Sequence, residues 1–392
     1  MHPELLIARF GELWLKGANR SQFTVRLTRN VKGALAAAGV HGAKLRVDEA
    51  RLFVEPATPD DVPAAFAVLR ETPGIANVSA CVRVEKRLEA LATTAAALAR
   101  ATWTEAPTTW VCRARRIDKA FPQNAPLIER TVAEQVGLAI GDAWKVDLRT
   151  PKRTMYVEVL REMACVAAWN EDGIGGLPVG TAGRTLLLLS GGLDSPVAGY
   201  LAQKRGCELE AVYFHSPPFI AEASREKVTA LARILGTRQG GLALHVVHFT
   251  EIQEAIHTSC DPKLTVILYR RFMYRIADAL ADRRGALALC TGENLGQVAS
   301  QTLENLSLVD RLAARMTLRP LMAFDKHETV AIAHRIGTYE TSILPAEDCC
   351  TLFVPRHPAV RAPLSFVEHQ ESKLDVAGLV ERALASTETV RT

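Results

Sequence analysis

The sequence of 392 residues has no apolar run near the roughly 18 to 20 residues that a membrane-spanning helix requires, and Met1 to Arg9 is neither a basic-then-apolar signal nor an Arg/Ser-rich transit segment. A cytoplasmic protein with no membrane partner is expected. Eight cysteines lie scattered without a CxxC pair, which excludes a secreted disulfide framework and a CxxC-type zinc site, so no resident metal centre is expected. Charge of one sign is scarce as well: a formal net charge of +4 is too small to announce a nucleic-acid binder. That excess is uneven, with 24 Lys+Arg against 20 Asp+Glu in residues 1–180 and 23 of each afterwards, so an RNA surface would belong first to the N-terminal half. Repeats and low-complexity tracts are also missing. What remains, 48% hydrophobic and 23% charged residues, is the balance of a globular chain of two or three domains.

Residues 1–60 read as two strands around a helix: the apolar Leu5 to Phe10, helical spacing at Phe23, Leu27, Val31 and Leu35, and alternation from Lys44 to Val54. Residues 61–168 repeat the α+β theme, with helices expected over 62–70, 88–102 and 127–143 and strands over 75–84, 109–117 and 155–160. Gly173, Gly175, Gly176, Gly180 and Gly183, gathered around Pro178, mark the main boundary, and a third domain is placed over 169–392. There the run Thr185 to Leu189 reads as a strand buried on both faces, and short strands alternate with helices, the clearest helix over 264–283. This is the βαβ rhythm of a doubly wound parallel sheet. The tail after Lys373 reads as one helix with a frayed end.

The segment Ser190-Gly191-Gly192-Leu193-Asp194-Ser195 follows directly on that buried strand. Ser195 is expected to cap a helix whose first residue is Pro196, so that backbone amides converge where glycines allow close approach. Such a place binds phosphate; a tight turn with a good cap is the plainer alternative. GxxxxGK[ST] is absent here, so transfer of a γ-phosphoryl group is not implied.

The SGGLDS segment resembles the pyrophosphate loop (PP loop) of the ATP pyrophosphatases, which cleave ATP between the α and β phosphates and pass AMP to a substrate oxygen. Further matches are Glu12 with Leu15 to Arg20, Gly175 to Gly180, Phe214-His215-Ser216-Pro217-Pro218-Phe219, the string TGENLGQVASQT from Thr291 to Thr302, and Glu347-Asp348-Cys349-Cys350-Thr351. From about residue 5 to about residue 358 the sequence resembles the tRNA 4-thiouridine synthetases, the ThiI family. The resemblance implies an N-terminal ferredoxin-like domain (1–60), a THUMP domain that binds tRNA (61–168) and an α/β PP-loop ATP pyrophosphatase domain with a parallel sheet (169–392). It implies an AMP-forming tRNA sulfurtransferase that adenylates a uridine at position 8 and replaces O4 by sulfur. Sulfur transfer to the carrier protein of thiamine thiazole synthesis is a further implied role. Another PP-loop tRNA thiolase, or a non-catalytic tRNA-binding protein, are the alternatives.

Carried over residue by residue, the resemblance adds Leu188, Leu189, Tyr213, Phe214, Arg270, Gly292 and Gln301 to the loop residues Ser190, Gly191, Gly192, Asp194 and Ser195 as ATP contacts, with Arg271 as the alternative to Arg270. These positions lie at the carboxyl ends of parallel strands, where α/β sheets bind nucleotides. Asp194 reads equally as a ligand of Mg²⁺ and as a turn carboxylate. Cys350, before Cys349, is the expected sulfur-transfer residue, a role that needs a thiolate. Cys290 reads first as a packing residue, and Cys81, Cys112, Cys165 and Cys207 as inert core. The rhodanese domain of some relatives is not expected, so sulfur would come from a cysteine desulfurase or another persulfide donor. An iron–sulfur cluster is possible but not favoured, since it would need distant residues such as Cys260, Cys290 and Cys350 to converge. For tRNA, Arg113 and Arg115 on one face of a strand, with Arg116 and Lys119 nearby, form a guanidinium row, and Lys16, Asn19 and Arg20 form a second cluster. A solvated edge strand is the plainer reading of that row, and the family's THUMP domain favours tRNA. A homodimer is compatible with the family but has no signal of its own.

Overall fold

The computed structural model describes every residue except Met1, Glu49, Asp348, Cys350, Thr351, Val354, Arg356, His357 and Pro358, and omits the side chains of Trp14, Leu15, Lys16, Ala18 and Ala299. The chain divides into two units, residues 1–177 and 178–392.

The first unit is built on one sheet of β1 (Leu5–Phe10), β2 (Lys44–Asp48), β3 (Arg51–Glu55), β4 (Ile75–Val84), β5 (Thr109–Arg116), β6 (Lys145–Val146), β7 (Arg153–Val159) and β8 (Ala164–Asp172), in the order β2-β3-β1-β4-β8-β7-β5-β6. Apolar side chains three and four apart give each helix one buried stripe. Leu27, Val31 and Leu35 of α1 (Arg20–Ala37) and Val62, Phe66 and Leu69 of α2 (Val62–Arg70) bury with Leu6, Ala8, Leu52 and Val54 of the sheet. Helix α2 therefore shares a core with residues on the other side of position 60. The second half of the sheet packs Trp110, Met155, Val157 and Val166 against Leu91, Ala95 and Leu98 of α3 (Leu88–Thr102) and Ile128, Val132 and Val136 of α4 (Ala125–Ile140). Two strands differ from the sequence expectation. The stretch from Lys44 to Val54 is a pair, β2 and β3, joined in antiparallel register. Strand β8 lies between β4 and β7, with Ala164 to Ala168 all buried; such a run has no alternation to announce it.

The second unit is a sheet of β9 (Arg184–Leu188), β10 (Glu208–His215), β11 (Ala243–His248), β12 (Ala288–Cys290), β13 (Met316–Leu318) and β14 (Glu388–Arg391), ordered β13-β12-β9-β10-β11-β14. Strands β9 to β13 pair in parallel, as expected for the PP-loop class. Its helices are α5 (Asp194–Lys204), α6 (Glu222–Gly236), α7 (Thr250–Ser259), α8 (Thr265–Arg284), α9 (Leu303–Asp310), α10 (Lys326–Ile336), α11 (Tyr339–Ser342), α12 (Leu364–Glu371) and α13 (Val376–Ala385). From β9 the chain adds β10 and β11 on one side, and β12 and β13 later join on the other. The strand order therefore reverses beside β9, the place where such sheets open a crevice. The tail is not one frayed helix: α13 is followed by β14, which pairs antiparallel with β11. No helix among the described residues is long and apolar enough to cross a membrane.

Candidate active site

Strand β9 is held by Leu186 and Leu187, both fully buried, and ends at Leu188, after which the chain passes through Leu189 and turns through Ser190 to Leu193 into α5. Ser195 does not cap this helix, contrary to the sequence expectation, because α5 already begins at Asp194 and its cap position is Leu193. The Ser195 hydroxyl closes the loop on itself. It accepts from Ser190 N–H at 2.9 Å and lies 3.1 Å from Ser190 Oγ, which in turn accepts from Gly192 N–H at 3.3 Å. The second loop packs directly on the first. A Cβ on Gly292 would stand 2.6 Å from both Asp194 C and Ser195 N, so only a residue without a side chain fits.

Beyond the strand ends lies a cavity of about 320 Å³, large enough for a nucleotide-sized ligand. The structure brings Leu188, Leu189, Ser190, Asp194, Ser195, Tyr213, Phe214, Arg270, Gly292 and Gln301 to its wall, along with Cys349. Gly191 and Gly192 line a neighbouring cavity instead, which Tyr213 also lines.

Sequence reasoning missed the residues that hold this wall. Arg270 donates to Ser300 O at 2.9 Å and forms an ion pair with the buried Glu293. Glu293 also accepts from Arg319 Nε at 2.6 Å, Thr291 Oγ1 at 3.0 Å and Tyr274 OH at 3.0 Å. Burial pushes the Tyr274 phenol up, so it serves as a donor. Arg271, the alternative to Arg270, turns the other way: its guanidinium bonds Glu371 at 2.8 and 2.7 Å and the Leu308 carbonyl at 2.6 Å. Asp194 is clamped by Lys326 Nζ at 2.8 and 3.1 Å and by Gln297 Nε2 at 3.1 Å. Thr291, Glu293 and Gln297 all belong to the run from Thr291 to Thr302; Lys326 comes from 132 residues away with no spacing to announce it.

Cys349 is buried at 5% exposure on the cavity wall, whereas Cys350, the preferred sulfur carrier, lies outside the described residues. Four side chains from three helices donate to backbone carbonyls along this segment: Lys227 Nζ to Leu344 O at 2.7 Å, Ser224 Oγ to Glu347 O at 3.1 Å, Gln253 Nε2 to Cys349 O at 2.7 Å and Tyr269 OH to Leu352 O at 3.1 Å. The described carbonyls of Leu344, Glu347, Cys349 and Leu352 are thereby tied to α6, α7 and α8. Cys290 is fully buried, its thiol faces the Ala198 carbonyl, and burial pushes its pKa far up, as for a packing residue. Cys112 is pushed up to about 12, chiefly by burial. Among the described residues no group of three His, Cys, Asp or Glu gathers as a metal site, and the cluster reading needs Cys350.

In the first unit, Arg113 and Arg115 are exposed on one face of β5, and Lys119 is exposed beyond it. Arg113 spends one nitrogen on Leu148 O at 2.7 Å, and Arg116 binds Phe121 O at 3.0 Å. Asn19 is exposed and Arg20 half-buried, while the Lys16 side chain is not described.

Three family matches cover most of the chain: the ThiI ferredoxin-like domain over residues 5–79, the THUMP domain over 85–168, and "Thiamine biosynthesis protein (ThiI)" over 180–376. The sequence is 43% identical over 389 residues to a probable tRNA sulfurtransferase of Moorella thermoacetica, covering 99% of this chain and 97% of the relative. It is 41% identical over 394 residues to one of Geobacillus kaustophilus, covering 100% and 96%. A crystal structure of a 4-thiouridine synthetase–RNA complex with bound ATP superposes with a TM-score of 0.87 at 36% identity over 99% of both chains. The expected order of ferredoxin-like, THUMP and PP-loop α/β folds is the order these matches give.

Proposed function

The chain belongs to the ThiI family, and on that premise we propose that it is an ATP-dependent tRNA sulfurtransferase making 4-thiouridine at position 8. The observation that carries this reading is a shared cavity: the PP loop, the strand ends expected to meet the adenine, and Cys349 all line one space. In the proposed sequence, uridine O4 attacks the α-phosphorus of ATP and pyrophosphate leaves with the broken bond's electron pair. The outer sulfur of a persulfide on Cys350 or Cys349 then attacks C4 and AMP departs with O4; a second thiol attacks the cysteine sulfur of the resulting C4–S–S linkage, releasing 4-thiouridine and leaving a disulfide that an external thiol reduces.

Each residue has a place in that sequence. Backbone at Leu189 and Phe214 meets the adenine edge, while loop amides and Arg270 meet phosphate. Asp194, whose carboxylate Lys326 and Gln297 hold, would be the residue to hold Mg²⁺, which would supply charge neutralisation between the phosphates. Arg113, Arg115 and Lys119 bind tRNA phosphates, and a cytosolic cysteine desulfurase or other persulfide donor feeds the cysteine loop.

The test is mass spectrometry of nucleosides from unmodified tRNA incubated with the protein, Mg-ATP and sulfide, with AMP followed in parallel. Both 4-thiouridine and AMP are expected. AMP without 4-thiouridine would move the activity to another PP-loop substrate, and neither product would leave a tRNA-binding role.

A further inference from the structure

We propose that Lys227 is a pyrophosphate-binding residue of the reaction, reaching the PP loop from α6; this rests on the adenylation reading above. The loop faces a polyanion without a cation of its own. No lysine or arginine occurs between Thr185 and Gln203, whereas a Walker loop carries its lysine within the motif. Yet the leaving group gains charge as the bond between the α-phosphorus and its bridging oxygen breaks, and a fixed cation beside the β-phosphate stabilises that charge most. Arg270 stands on the nucleotide cavity and pairs with Glu293, and Lys326 pairs with Asp194.

Lys227 stands on the other side of the loop. A Cβ built on Gly191 would lie 3.4, 3.5 and 3.6 Å from Lys227 Cδ, Cε and Nζ, ordinary contact distances that put the end of the lysine beside the loop backbone. Gly191, Gly192 and Lys227 line the second cavity, about 310 Å³, together with Ser342. Tyr213 belongs to both cavities, so the one expected to hold the nucleoside adjoins the one holding this ammonium. The ammonium donates to Leu344 O at 2.7 Å, at the start of the segment that leads to Cys349. One cation thus touches the loop that would hold the leaving group and the strap that carries the sulfur residue. A phosphate oxygen is a stronger acceptor for an ammonium than a carbonyl, because the bond is charge-assisted on both sides.

The test is product inhibition in the tRNA, Mg-ATP and sulfide assay, with added pyrophosphate or added AMP, on wild type, Lys227→Gln and Lys227→Arg. Wild-type release of AMP and pyrophosphate sets the baseline; without it the adenylation reading itself fails. Given that baseline, Lys227→Gln should weaken inhibition by pyrophosphate about ten- to a hundredfold, the weight of one hydrogen bond to a charged group, leave inhibition by AMP unchanged, and be largely rescued by Lys227→Arg. Unchanged pyrophosphate inhibition would overturn the proposal and leave Lys227 as a pin for Leu344. Equal weakening of both inhibitors would overturn it too, as a general distortion of the site.

Discussion

Helix α8 places two consecutive arginines in opposite surroundings. On one side, Glu371 of α12 lies between Arg271, at 2.8 and 2.7 Å, and Arg275, at 2.6 and 2.9 Å. On the other, Glu293 lies between Arg270 and Arg319. Both carboxylates are buried, at 6% and 5% exposure, and each meets two guanidiniums, so composition and burial do not separate them. What lies beyond the guanidinium does. Arg271 Nη1 donates to the Leu308 carbonyl, inside the protein, while Arg270 forms part of a cavity wall. A step of about 100° along a helix is enough to move the same chemistry from a core to a ligand site.

Breaking the core side should have the largest effect. Glu371→Ala leaves Arg271 and Arg275 without their shared carboxylate, and removing one partner of a buried ion pair costs about 3–5 kcal/mol. Urea unfolding should show that loss, with the KM for ATP of the remaining folded protein unchanged. A loss below about 1 kcal/mol, the range of exposed pairs, would mean that this cluster is no more committed than a surface one.

The cavity side should behave in the opposite way. In Arg270→Ala the carboxylate of Glu293 keeps Arg319, Tyr274 and Thr291, so unfolding should shift far less than in Glu371→Ala. AMP formation should fall about 10²- to 10³-fold, as when one fixed donor to a developing charge is removed, while tRNA binding in a filter assay stays intact. Wild-type turnover in this variant would erase the contrast between the two sides of α8.

How much of this could be read beforehand depends on how local each cause is. The strand, the SGGLDS turn and the TGEN string are contiguous, so those elements are legible; the wider set of ATP contacts comes from the family resemblance, and ten of them line one cavity. The choice of Arg270 over Arg271 rests on the resemblance and not on the local pattern, since neighbours on a helix differ only in what tertiary packing sets before them. Strand β8 escaped because five consecutive buried residues show no period. Strand β14 escaped because Glu388 to Arg391 is short and mostly exposed, and becomes a strand by docking on β11, where Thr389 Oγ1 lies 2.9 Å from His245. Ser195 looked like a cap because its hydroxyl is the right kind; the loop used the same hydroxyl for Ser190. Lys326 and the four donors to the cysteine segment come from distant stretches and follow from the fold alone.

The smallest expected effect concerns acid, and it sharpens the same comparison. Burial by itself would raise the Glu371 pKa, but the hydrogen bonds and charges of Arg271 and Arg275 outweigh it and hold the carboxyl at about 2, against an ordinary 4.5. A carboxyl depressed in the folded state binds its proton more readily when unfolded. Its contribution is therefore complete above the unfolded pKa and is lost as pH falls through the folded one. Between about pH 4.5 and 2 the urea midpoint of the wild type should drop, and Glu371→Gln, which has no proton to take up, should drop less over the same interval. Glu210, held at about 2 by His245 and Arg284 against the cost of its burial, keeps a residual slope in that variant. Parallel acid profiles for wild type and Glu371→Gln would show that the two arginines do not hold the carboxylate ionised, and that the core side of α8 rests on packing instead.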